Sequence, residues 1–140
     1  MDLSLVDPGV IRPWLICEAG GRWLTAVRRF GAEIVPPELV PNIESAERDQ
    51  VLAKLARPVP SIVLWETRRE SLALSCDSLA RTADLNPRTL QIVACHQISH
   101  RERLCLTPYP VSAMVEHPED LTRLTRMIHL HFARWTQVID

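Results

Sequence analysis

Short apolar runs alternate with helix-period segments five times along this 140-residue chain, and that rhythm restricts the fold more than any single motif does. "PWLICE" (Pro13 to Glu18) is the first strand candidate, followed by Gly20-Gly21 and by "RWLTAVRRF", where Trp23, Leu24, Val27 and Phe30 share one helical face. "AEIV" (Ala32 to Val35), closed by Pro36-Pro37, reads as a short second strand. Asn42 is placed to cap a helix reaching Arg57, with Val51, Leu52 and Leu55 inward. "SIVLW" (Ser61 to Trp65) is the third strand. Thr67 and Glu70 have capping-box spacing, so a helix is expected directly after Glu66, burying Leu72, Cys76, Leu79 and Ala83 and stopping at Asn86-Pro87. "TLQIVAC" (Thr89 to Cys95) is the fourth strand, and Ser99 with Glu102 forms a second capping box. "PVSAMV" (Pro110 to Val115) is the fifth. Pro118 then opens a last helix whose inward stripe is Leu121, Leu124, Ile128, Phe132 and Trp135.

Strict strand–helix alternation implies a parallel sheet with helices on both faces. The first, third and fourth strands are near-continuous apolar runs, as interior parallel strands are. The second, short and ended by a double proline, belongs at an edge. These features point to an α/β flavodoxin-like three-layer sandwich, a five-stranded parallel sheet of order 2-1-3-4-5, with ligands expected beyond the carboxyl ends of the first, third and fourth strands. No repeat or linker interrupts the pattern. Residues 13–140 therefore read as one domain, preceded by an arm over residues 1–12 with a turn at Asp7-Pro8-Gly9.

A net charge of −1 and no block of like charge argue against nucleic acid or a membrane surface as partner. No apolar run approaches the roughly 20 residues of a membrane helix, and the start lacks a signal-peptide pattern. A cytoplasmic protein is expected. In that setting Cys17, Cys76, Cys95 and Cys105 read as buried thiols rather than disulfides, with Cys95 and Cys105 facing apolar surroundings.

The length, the five strand–helix units and the acids after the first and third strands together resemble the receiver domain of response regulators, over roughly Arg12 to Trp135. The resemblance implies an acidic magnesium pocket after the first strand and a phosphate-accepting aspartate ending the third. It also implies a hydroxyl residue ending the fourth strand and a Lys-Pro after the fifth. Carried over, Glu18 stands alone in the acidic pocket, Glu66 at the acceptor, Cys95 at the hydroxyl position, and Glu116 or His117 where the lysine belongs, beside Pro118. A glutamate reaches one methylene farther than an aspartate, one first-strand acid is a thin supply of magnesium ligands, and Lys54, the one lysine, lies in the second helix. The resemblance thus implies a degenerate receiver of pseudo-receiver type. Such a protein is a non-catalytic signalling or protein–protein interaction module without phosphorelay chemistry, metal or cofactor. On this reading Glu18→Gln is neutral or stabilising, because neighbouring carboxylates repel.

Two other chemistries fit the same residues. A metal-dependent hydrolase would use Glu18, Glu66 and His96 at the strand ends. "CHQISHRERLC" offers Cys95, His96, His100 and Cys105 to zinc, though at no paired-ligand spacing. Gly20-Gly21 lacks the G-x-G-x-x-G spacing of a nucleotide loop. The plainer reading is that each residue simply ends a strand or caps a helix.

The last helix carries a second feature. At about 100° per residue its core stripe fills one arc, and Leu130 points away from it beside Arg123, Met127 and Arg134. An apolar pair framed by arginines is a composition common in interface cores. It makes this helix the candidate docking face for a protein partner or a second copy in a homodimer.

Overall fold

The computed structural model describes residues 12–35, 37–57 and 59–136. The arm over residues 1–11, with its Asp7-Pro8-Gly9 turn, lies outside the described residues. Its elements in chain order are β1 (Trp14–Cys17), α1 (Arg22–Ile34), β2 (Ile43–Ser45), α2 (Arg48–Leu55), β3 (Ser61–Thr67), α3 (Leu72–Leu85), β4 (Thr89–Cys95), α4 (His100–Leu104), β5 (Ala113–Val115) and α5 (Thr125–Thr136). The strands form one all-parallel sheet in the order β2-β1-β3-β4-β5, the architecture that the alternation implies.

Strand parity sorts the core into two layers. Ile16, Ile62, Leu64, Ile92 and Ala94 pack on Trp23, Val27, Ile34, Leu121, Ile128 and Phe132 of α1 and the α5 region. Leu15, Val63, Trp65, Val93 and Cys95 pack on Val51, Leu55, Leu79 and Leu106 on the opposite face. Being covered on both sides, the central strands have no polar face, which is why their sequences run apolar without alternation.

Two elements differ from expectation. Ala32 to Val35 is not a strand: Ile34 extends the α1 stripe of Trp23 and Val27, and the Val35 N–H closes on the Gly31 carbonyl at 3.0 Å. Four residues cannot separate a period of 2 from one of 3.6. Gly31 packs closely on β2, since a Cβ there would stand 3.2 Å from Ile43 Cδ1. The second strand is instead Ile43–Ser45, reached through a 3-10 segment Pro37–Asn42. It is an edge strand with one buried apolar residue, so no apolar run announces it. Asn42 therefore caps no helix; its Nδ2 donates to the Arg12 carbonyl at 3.4 Å, and α2 opens six residues later, behind Glu47, whose N–H donates to Gln50 Oε1 at 3.0 Å.

The third strand runs on to Thr67, whose hydroxyl is buried and shares a 2.7 Å hydrogen bond with Ser75. Thr67 thus does not cap α3. Ser71 makes that turn instead, its Oγ accepting the Arg68 N–H at 3.0 Å. As a result α3 buries Ser75, Ser78, Leu79 and Thr82, and leaves Leu72, Cys76 and Ala83 half-buried. The Ser99–Glu102 box forms as expected, with bonds of 3.0 and 3.2 Å. Leu121, Leu124, Ile128 and Phe132 are buried; the Trp135 side chain lies outside the description. Among the described residues no helix is long and apolar enough to cross a membrane.

Gln91 is among the polar groups sealed in the interior. It is 1% exposed, accepts the Trp65 indole N–H at 2.9 Å and donates to the Leu79 carbonyl at 3.0 Å. Gln91→Leu leaves the Trp65 indole N–H buried and unpaired, while the Leu79 carbonyl keeps only its bond within α3. We expect a loss of about 1–3 kcal/mol in urea unfolding, with little change in slope.

Candidate functional site

The carboxyl edge of β1 and β3 is built around Glu18. The Gly21 backbone at φ 94° precedes α1 and carries no side chain that could cap it. The Glu18 carboxylate fills that role, with Oε1 accepting the Trp23 N–H at 2.8 Å and Oε2 the Leu24 N–H at 2.6 Å. A carboxylate at this end also meets the positive pole of the helix dipole. From a position three residues before the N-cap, the extra methylene of glutamate supplies the reach.

Glu66 lies on the same side of the sheet by parity. Its side chain is 8% exposed, accepts the Ala19 N–H at 3.3 Å and faces Arg68 Nε at 3.6 Å. Both candidate acids therefore hold the β1–α1 turn, and the backbone donors that an anion would use there are taken by the protein's own carboxylates.

Parity separates the other candidates from this pair. The register partner of Glu66 on β4 is Ala94, whereas Cys95 pairs with Thr67 and packs into the opposite layer. Cys95 therefore faces the layer opposite Glu66. Burial raises its thiol above the ordinary range, with Arg103 acting in the opposite sense. Beyond β5, Glu116 is ion-paired with Arg103 of α4, and His117 Nε2 lies 4.0 Å from Glu116 Oε2. The backbone N–H groups of Glu116 and His117 both donate to Asp120 Oδ2 at 3.1 Å. The nearby cation thus comes from α4.

His96 lines a cleft of about 240 Å³ with Arg68, Arg69, Glu70 and Gln97, past the ends of β3 and β4. Gln97, at φ 53°, turns the chain toward α4. His96 is therefore not joined to Glu18, which faces α1. His100 and Cys105 are exposed, and among the described residues no three His, Cys, Asp or Glu side chains converge as a metal site.

Sequence reasoning missed the arginine latches. Arg69 forks onto Glu102 with bonds of 3.0 and 3.3 Å, tying the turn after β3 to α4, while Arg103 ties α4 to the end of β5. The capping-box spacing marks Glu102 as a cap, but nothing local marks a partner 33 residues away.

Of the proposed docking residues, Leu130 is 56% and Met127 37% exposed. Together with Leu90, Arg126, His131 and Arg134 they line a groove of about 450 Å³. Arg123 is not part of it: it belongs to a 3-10 segment Pro118–Leu124, whose tighter winding shifts its phase, and it faces Asp120 at 3.9 Å. His131 Nε2 donates to the Ser61 carbonyl at 3.1 Å, and burial pushes its imidazole below the ordinary value.

No protein-family model matches the chain, and no curated protein matches it significantly. Its five-stranded α/β fold is shared with the crystal structure of a pilus assembly protein, CpaE, from Caulobacter crescentus CB15. The TM-score is 0.56 at 18% identity, over 85% of this chain and 93% of that one.

Two outcomes follow from this geometry. Glu18→Gln keeps one acceptor and turns an amide N–H toward backbone donors, so it should destabilise by about 1 kcal/mol, and Glu18→Ala by about 2. This reverses the neutral-or-stabilising effect expected from carboxylate repulsion; thermal unfolding of the two variants checks it. The second concerns Glu102, whose carboxyl is lowered from 4.5 to about 2, first by the Ser99 backbone N–H and then by the Arg69 and Ser99 side chains. Because the folded value is the lower one, its contribution is complete above about pH 4.5 and is lost as pH falls toward 2. Stability of Glu102→Gln should fall less steeply than wild type across that window.

Proposed function

We propose that this chain is a non-catalytic signalling or protein-interaction module of pseudo-receiver type, acting in the cytoplasm, in which phosphorelay chemistry is lost. The observation that carries this reading is the commitment of both candidate acids to backbone donors: Glu18 to Trp23 and Leu24, Glu66 to Ala19. Ala94 beside Glu66, and a β5-end cation already paired with Glu116, support it further. The hydrolase using Glu18, Glu66 and His96 is less well supported, because His96 belongs to a separate cleft.

The proposed output surface is α5. Met127 and Leu130 lie between Arg126 and Arg134, so the fitting occupant is a protein segment with apolar side chains beside carboxylates, from another protein or a second copy. Since Leu130 is exposed, Leu130→Glu should keep the wild-type circular dichroism and melting temperature. It should split a homodimer on a sizing column or abolish binding of an acidic amphipathic partner helix. Wild-type behaviour in both assays removes α5 as the docking face.

The pocket is tested separately. Acetyl phosphate or beryllofluoride should leave no adduct on Glu66, and millimolar magnesium should leave the melting temperature unchanged. A stable phosphoryl mass on Glu66 overturns the reading. A rise of several degrees with magnesium or manganese, abolished in Glu18→Gln, favours the hydrolase instead.

A further inference from the structure

On the side of the sheet away from α5, a groove of about 540 Å³ separates α3 from the turn after α4. It is lined by Leu72, Ala73, Cys76, Asp77, Ala80, Cys105 and Tyr109, so two of the four cysteines face it. The half-buried Cys76 thiol points across the groove, its Sγ 3.9 Å from the Cys105 carbonyl oxygen. Covalent geometry then puts the Cys76 sulfur within about 6 Å of the Cys105 Cα. Cys105 is exposed, and its Sγ is turned back toward the Arg101 carbonyl at 3.7 Å. One rotation about χ1 releases that weak contact and swings the sulfur toward Cys76. The remaining gap is closed by rotation of the half-buried Cys76 side chain about its own χ1.

We propose that Cys76 and Cys105 form a reversible dithiol–disulfide site that accepts oxidising equivalents from a peroxide. The exposed Cys105 reacts first. Its thiolate attacks one peroxide oxygen, the O–O bond breaks, and the departing hydroxide takes a proton to become water, leaving Cys105 as a sulfenic acid. The Cys76 sulfur then attacks the Cys105 sulfur. The S–S bond forms, the S–O bond breaks, and hydroxide leaves with the Cys76 proton as a second water. In sum, two thiols and one peroxide give one disulfide and two waters.

The order follows from placement. Burial raises the Cys76 thiol, a hydrogen bond from Tyr109 acts against this, and an ionised Cys105 raises it again, so Cys76 is the resolving partner. Cys17 and Cys95 do not line the groove; burial is the main cause raising each of their thiols. The bridge would fasten α3 to the end of α4 and narrow the groove between them.

The test is peptide mapping of the whole reduced chain after equimolar hydrogen peroxide, with free thiols alkylated and no reductant. The expected product is one intrachain Cys76–Cys105 peptide that disappears on adding a dithiol reductant. In Cys76→Ser, the link is lost and a dione-trappable sulfenic acid accumulates on Cys105. In Cys105→Ser, Cys76 stays a free thiol over the same exposure. Wild-type Cys105 passing to sulfinic acid without a link, or a link through Cys17, Cys95 or a second chain, overturns the proposal.

Discussion

Two-sided burial of β1, β3 and β4 is the constraint on which the other features depend. β3 and β4 run seven residues in parallel register, and their side chains alternate between two apolar layers that leave no face for water. A parallel pair needs a crossover, and the crossovers here lay α1 on one face and α2 and α3 on the other, with α5, after the last strand, beside α1. Slipping β4 by one residue would exchange the two layers, placing Gln91 in the α1 layer away from Trp65 and Leu79. The Gln91 hydrogen bonds therefore mark the register as well as satisfying buried groups.

The same parity governs the carboxyl edge. It sends Glu18 and Glu66 toward the β1–α1 turn and Thr67 and Cys95 toward α3, so a constellation that looks contiguous in sequence is divided by the sheet. On one side an internal carboxylate occupies a helix start that could otherwise receive an external anion. On the other, arginines fasten α4 to its neighbours: Arg69 through Glu102 and Arg103 through Glu116. The edge is thus organised by capping bonds and ion pairs, an arrangement that holds loops in place.

The local signals that were legible share a physical trait: each is complete within a few residues. The Ser99–Glu102 box, Pro118 opening the last helical segment and the Leu121–Phe132 stripe need no distant partner to be recognised. Ala32–Val35 and Ile43–Ser45 fail that condition. The first is too short to show its period, and the second is strand only because β1 offers Trp14, Leu15 and Ile16 to pair with it. Thr67 likewise has capping-box spacing with Glu70, but a strand two residues longer than its apolar run carries the hydroxyl into the interior to meet Ser75.

By itself the sequence determined the fold class and strand order, because two-sided burial writes continuous apolar runs into interior strands, but it did not locate the edge strand β2, which its pairing with β1 defines. It also placed Leu130 outside the core, since helical phase is a local property. Only the tertiary structure decided what the polar residues do. A carboxylate's role depends on which donor or cation reaches it: Trp23 and Leu24 reach Glu18, Ala19 reaches Glu66, and Arg69 reaches Glu102. Two of those encounters, Ala19 with Glu66 and Arg69 with Glu102, join residues tens of positions apart, through a sheet whose side-chain parity no linear spacing displays.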